Sequence, residues 1–260
     1  MVTDGQGSIV DLQHWFHSPA GQYVRQWEQR RMDDLVVDVF GFRAVQYGLP
    51  EFNYLAANRM PFKAYAGPKR LDATSEGHWQ ASVVCLAEEL PFDTASIDLL
   101  VLPHTLEAAQ NQHVVLREAQ RVLVPEGRLV IAGFNPWSLW GLRDRVPWVG
   151  GWFAPGGEGE ISPARLKDWL KLLSFDIDRG YFGCYAPALK SQVWLDRFSF
   201  MEKAGDRWWP ILGATYVVSA VKRVAGMRLI TPAWKRKSQR RRARQAAGVA
   251  VQKGSSFERH

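Results

Sequence analysis

The stretch from Ala87 to Pro136 constrains the fold more than any other part of the chain. Two apolar runs, IDLLVLP from Ile97 and GRLVIAGF from Gly127, are long enough for buried strands and too short for helices of ordinary globular length. Between them Leu106, Ala109, Val114, Leu116, Ala119 and Val122 recur at roughly helical spacing, and Pro125-Glu126-Gly127 breaks the pattern with a turn. Strand, helix and strand in that order make a βαβ crossover, the unit from which parallel sheets are built.

The flanking sequence extends the same alternation. Residues 8–31 read as helical, with Leu12, Trp15, Phe16, Tyr23, Val24 and Trp27 on one apolar face and Ser18-Pro19 supplying an N-cap with proline at the first helical position. Leu35 to Phe40 reads as a buried strand, and residues 61–66 and Ala81 to Leu86 as two more. Beyond the crossover, Ser162-Pro163 caps a helix striped by Leu166, Trp169, Leu170 and Leu173, and Phe175 to Phe182 alternates like a strand. Residues 184–210 are rich in aromatics and partly helical in pattern, and Gly213 to Lys222 is the last strand. This order predicts an α/β fold, a three-layer doubly wound sheet.

Within the crossover, Leu90-Pro91-Phe92, Ser96-Ile97-Asp98, Leu116-Arg117-Glu118, Arg121-Val122-Leu123, Pro125 and Gly127-Arg128-Leu129 resemble the second half of a class I S-adenosylmethionine-dependent methyltransferase of the small-molecule, type 11 kind. The resemblance implies a Rossmann-like, mostly parallel seven-stranded sheet in the order 3-2-1-4-5-7-6 with the last strand antiparallel. The methyltransferase-like domain is expected over 34–231, after a helical segment over 1–33. It would carry a Trp-rich loop over 135–160 and an insertion over 184–212, and a basic tail would come after it over 232–260.

The resemblance also implies a cofactor, S-adenosyl-L-methionine, and a methyl group passed to a small-molecule acceptor by in-line displacement. That chemistry needs proximity and orientation more than acid–base help, so its residues belong at the carboxyl ends of strands. On the strand read at Leu35–Phe40, the Gly-rich loop falls at Asp38 and Gly41, with Phe40, Phe42 and Arg43 where the family has other glycines. The family's ribose-binding acid has no counterpart between Phe52 and Arg70. After the third strand, Ala87 and Glu88 match the adenine-contacting turn, with Leu86 where the family has Asp. After the fourth come Pro103 and His104, and His104 is the candidate to orient the substrate or accept its proton. The alternative for His104, or Thr105, with Glu107 three or two residues on is a helix cap. Asp98 reads as a structural acid. Asn135, Trp137 and Trp140 open the Trp-rich segment and are expected either to wall the acceptor pocket or to pack that loop onto the domain.

Charge and cysteine usage bound the remaining functions. The net charge of +7 is concentrated in the tail: residues 235–260 hold nine Lys/Arg against Glu258 alone, leaving the rest of the chain at −1. The run KRKSQRRRAR over 235–244 is either a solvated end or a contact to nucleic acid or an anionic membrane surface through phosphates. Cys85 and Cys184 read as buried thiols, which fits a reducing cytoplasm. No Cys/His spacing suits zinc, so no metal is expected. The start of the chain has neither a basic n-region nor an apolar core, so no secretory signal is expected. Besides an enzyme of this family, the altered cofactor loop leaves open a methyltransferase-like binding or regulatory protein, and the basic tail a methyltransferase tethered to nucleic acid.

Overall fold

The computed structural model describes residues 12, 14–71, 79–144, 159–186, 205 and 209–224. Seven strands, β1 (Arg43–Tyr47), β2 (Phe62–Gly67), β3 (Ala81–Val84), β4 (Ile97–Pro103), β5 (Leu123–Phe134), β6 (Phe175–Gly183) and β7 (Thr215–Lys222), form one sheet in the order β3-β2-β1-β4-β5-β7-β6. β7 runs antiparallel to both its neighbours, and the pairs on the β3-to-β5 side are all parallel. This is the doubly wound, Rossmann-like methyltransferase fold expected from the sequence, strand order included.

Neighbouring residues on the central strands serve opposite faces of the sheet. Leu99 and Val101 of β4, with Val130 and Ala132 of β5, belong to one core layer, covered by Val24, Met32, Leu35 and Val36 of helix α1 (Pro19–Val36). Leu100 and Leu102, with Leu129 and Ile131, belong to the other. That second layer is closed by Leu116, Ala119 and Val122 of α3 (Gln112–Val122) and by Leu166 and Leu170 of α5 (Pro163–Leu172). A central strand covered on both faces must be apolar throughout, which is why β4 reads as a continuous run rather than an alternating one. Ser18 and Ser162 cap α1 and α5, accepting the N–H groups of Gly21 and Arg165, each with proline next in line.

The first strand lies further along the chain than the apolar run suggested. Leu35 and Val36 are in phase with Val24, Glu28 and Met32 on the buried face of α1, so the run beginning at Leu35 ends a helix instead of forming a strand. The chain then turns with Asp38, Phe40 and Phe42 exposed, and β1 starts at Arg43. The boundary expected at residue 33/34 therefore falls inside α1, whose side chains share a core with the sheet. A second difference is the crossover helix. It is split into α2 (Thr105–Ala108) and α3, because Ala109 is extended and the Glu88 carboxylate accepts the N–H groups of Gln110 and Asn111 between the two pieces. Helix α4 (Leu139–Asp144) opens the Trp-rich segment. Trp148, Trp152, most of 184–210 and the basic tail lie outside the described residues.

Asp98, in β4, ties the amino ends of β1 and β4 together. Its carboxylate accepts the N–H groups of Phe42 and Arg43, each at 2.9 Å. A Cβ on Gly41 would lie 2.5 Å from both Cβ and Cγ of that aspartate. Gly41→Val is therefore expected to destabilise the protein by about 1–3 kcal/mol through crowding of Asp98, read as a lower urea midpoint with unchanged slope.

Candidate functional site

The carboxyl ends of β1 and β4 lie side by side, and both carry left-handed backbone. Gly48, just past β1, has φ +77°, and Leu49 comes next at +46°. His104, just past β4, has +51°. A Cβ on Gly48 would meet only Thr105 Oγ1, at 3.8 Å, so the glycine leaves an approach to the backbone at the strand end. Its N–H donates to Ala66 O of β2, which fixes the turn.

The loop after Gly48 is held in its fold by one side chain. The buried amide of Gln46 donates to the carbonyls of Gly48, Leu49 and Phe52 at 3.1, 3.2 and 2.7 Å, and its Oε1 accepts from Tyr54 N–H at 2.9 Å. Leu49, Phe52, Tyr54 and Leu55 are thereby turned into the core. On the other side, the Tyr47 hydroxyl donates to Cys85 O at 3.2 Å and lies beside the Ala87 backbone, fixing the turn after β3. Burial, reinforced by Cys85 and Glu88, pushes the Tyr47 phenol well above its ordinary pKa, and burial raises the Cys85 thiol to about 11. Both are protonated near neutrality.

His104 stands between two carboxylates. The imidazole is 1% exposed; Nε2–H donates to Glu28 of α1 at 2.9 Å and Nδ1–H to Glu107 of α2 at 2.7 Å. Glu28 also accepts from Thr215 Oγ1 at 2.6 Å and from the Tyr54 hydroxyl at 3.4 Å, and Glu107 from Phe134 N–H. Burial works against charge on the ring, but the two carboxylates and their hydrogen bonds outweigh it and hold its pKa up to about 10. The ring is an imidazolium at physiological pH. Phe16 stands edge-on over it with centroids 5.3 Å apart, and Phe134 packs at 4.3 Å.

The structure separates the expected site residues. Asp38 and Gly41 lie at the amino edge of the sheet because β1 begins after them, and Gly48 follows β1 at the carboxyl edge. His104 is at the expected strand end, and both its ring nitrogens are bound to carboxylates. Its side chain makes no cap hydrogen bond. Ala87 and Pro103 are buried at the carboxyl edge, and Glu88 is beside them, its carboxylate occupied by the α2–α3 turn. Asn135 is structural: its amide donates to Ile211 O and Gly213 O and its Oδ1 accepts from Trp137 N–H. Trp140 is buried, donating to Ala186 O at 2.7 Å, while Trp137 is 63% exposed. Of the two alternatives for this segment, Trp140 takes packing onto the domain.

Sequence reasoning missed Gln46, Gly48 and Glu28. The signal for the first two was the Gly48-Leu49-Pro50 turn directly after the apolar-flanked RAVQY. Glu28 carried no signal, since an acid on an amphipathic helix is ordinarily solvated. Among the described residues no group of three or more His, Cys, Asp or Glu is arranged to hold a metal ion, and no helix is long and apolar enough to cross a membrane.

A family model described as a methyltransferase domain matches residues 66–131, from the end of β2 into β5. YafS of Escherichia coli K12, a protein of uncharacterized function, is 32% identical over 170 residues, covering 65% of this chain and 68% of its own. Among solved structures, a chain of the Haloferax volcanii complex between the Trm112 methyltransferase activator and a methyltransferase superposes with a TM-score of 0.57. It is 14% identical, over 84% of this chain and 99% of its own. An S-adenosylmethionine-dependent methyltransferase from Thermotoga maritima gives 0.51 at 17% identity, over 82% and 100%. The fold is that of the class I methyltransferases. The chain belongs to that S-adenosylmethionine-dependent family, in the branch that includes YafS.

Removing one partner of a buried ion pair strands the other charge. Glu28→Ala is thus expected to cost about 3–5 kcal/mol of stability, measured by urea denaturation. The pH dependence has a definite sign. His104 binds its proton more tightly folded than unfolded, so its contribution is complete below the unfolded value of about 6.5 and is lost as pH rises through about 10. Stability of the wild type should fall across that window, and the fall should shrink in Glu28→Gln.

Proposed function

We propose that this chain binds S-adenosyl-L-methionine at the carboxyl edge of β1 to β4 and methylates a small acceptor there. The observation that carries the reading is Gly48, a glycine at φ +77° with an open approach beside Thr105, at the strand end where the family holds its cofactor. The residues that fit the cofactor are Gly48 and the Ala87–Glu88 turn. The family's ribose-binding acid has no counterpart on the described part of the β2 end, where Gly67-Pro68-Lys69-Arg70 stands. When bound, the cofactor supplies an already electrophilic methyl group, so the protein's part is placement and exclusion of water.

The chain's residues divide that work. Gln46 folds the loop after β1 around Gly48, and Tyr47 sets the height of the β3 turn. Thr105 donates to the carbonyls of Tyr47 or Pro103, each at 3.3 Å, and closes the gap between β1 and β4. Phe16, Phe52 and Phe134 keep water from the β4 end. His104 is charged and enclosed, and the Cys85 thiol and Tyr47 phenol stay protonated, so none of the three serves as a base. This favours an acceptor that arrives as a nucleophile, such as a neutral amine or a thiolate.

Calorimetric titration of the full chain with S-adenosylhomocysteine tests the reading. Saturable binding is expected, weakened at least tenfold in Gly48→Val, whose side chain fills the approach and resists a positive φ. No heat and no thermal shift at millimolar ligand would assign the chain to the family's fold without its reaction.

A further inference from the structure

The buried cluster at the end of β4 carries a net charge, wherever its protons sit. His104 Nε2 meets Glu28 at 2.9 Å and His104 Nδ1 meets Glu107 at 2.7 Å, and each of these hydrogen bonds needs one proton. A ring stripped of both protons is singly negative and each carboxylate is singly negative, so adding two protons leaves one negative charge on the three groups. Their other partners do not change the sum. The hydroxyls of Thr215 and Tyr54 and the Phe134 N–H are neutral donors. Among the described residues, His104 is the cation paired with either acid. Arg25 of α1 is felt at the Tyr54 hydroxyl, and its guanidinium lies over the Phe52 ring, outside the cluster's hydrogen bonds.

The excess charge is buried and lies next to the strand end already assigned to the cofactor. The side chains of His104 and Glu28 are fully enclosed, and that of Glu107 is 8% exposed. Phe16 and Phe134 against the ring keep its surroundings apolar, so the field of the charge is weakly screened. A buried charge that is incompletely balanced works against folding, and a cation bound beside it offsets part of that penalty. Thr105, the residue after His104, is the one a Cβ on Gly48 would meet, and its Oγ1 lies 3.3 Å from Tyr47 O. Two residues further on comes Glu107, the cluster's most exposed member.

Resting on the cofactor reading above, we propose that the excess negative charge shared by Glu28, His104 and Glu107 is the counter-charge for the sulfonium of S-adenosyl-L-methionine. The three are positioning residues that act through their field. When the methyl leaves, its bonding electron pair stays on sulfur and the positive charge there is gone, so the product is neutral at that atom. The cluster therefore discriminates donor from product by charge alone. It favours loading of the cationic donor and release of the neutral product, and it works mildly against the chemical step, in which the positive charge departs. Opposite charges on the order of 10 Å apart across a protein interior change affinity by about tenfold.

The experiment is calorimetric titration of the full chain with three ligands: S-adenosylmethionine, S-adenosylhomocysteine, and sinefungin, in which an amine supplies the positive charge without a sulfonium. The wild type is expected to bind both cationic ligands about tenfold more tightly than neutral S-adenosylhomocysteine. Glu28→Gln removes the excess charge and leaves the shape: its carbonyl oxygen accepts from His104 and Thr215, and its amide faces the Tyr54 oxygen. In that variant the preference should fall to within about twofold, with S-adenosylhomocysteine affinity little changed. A merely structural role would weaken all three ligands alike, and that result overturns the proposal. So does a wild type that binds the three ligands equally, a comparison that holds even where the variant does not fold. No binding of any ligand to the wild type overturns the cofactor reading and this inference with it, whereas equal binding of all three overturns the charge role alone.

Discussion

A positive charge locked between two negative ones, deep at the carboxyl end of β4, is the constraint on which much of the structure depends. His104 draws in Glu28 from the first helix and Glu107 from the second, and those acids in turn gather Thr215, Tyr54 and Phe134 N–H. Five segments far apart in sequence are thereby tied to one point. A buried ion cluster is seldom a large net source of stability, because desolvation offsets the attraction. Its effect here is geometric. It holds a non-glycine residue at φ +51° and admits one placement of α1 over the sheet. Gly133 fits the same design: a Cβ there would lie 2.6 Å from the Tyr216 hydroxyl and 3.1 Å from a Glu107 oxygen.

The first strand end shows a different solution from the glycine-rich turn of the family. One glycine remains, and Leu49 takes a left-handed conformation where flexibility would be expected. Gln46 makes that tolerable by engaging four backbone groups of the loop beyond it. The family model's match begins at Ala66, after this segment.

Much of the fold was legible in the sequence. The β4–α3–β5 crossover, the capped helix at Ser162-Pro163 and the closing strand all declared themselves through apolar runs and punctuation. The first strand did not, because Leu35-Val36-Val37 has strand-like composition while its buried positions continue the helical phase of Val24, Glu28 and Met32. Locating the strand too early then carried Asp38 and Gly41 to the wrong end of the sheet. Within the site, His104 was found by its place after an apolar run. Its state depends on Glu28, 76 residues away, and no local pattern announces such a partner. The hydrogen bonds of Asn135 and Trp140 were equally illegible, since they reach 46 to 78 residues along the chain.

The bond between Glu28 and Thr215 spans 187 residues. A ribosome making this chain releases α1 well before β7, so the acid on the nascent helix waits for its hydroxyl while the intervening strands emerge. Until β7 inserts between β5 and β6, the central edge strand stays unpaired and the helix lacks one of its anchors. Assembly of this domain is therefore a closing event that depends on its far end, and fragments that stop short of β7 would carry an open sheet edge for chaperones or neighbouring chains to find.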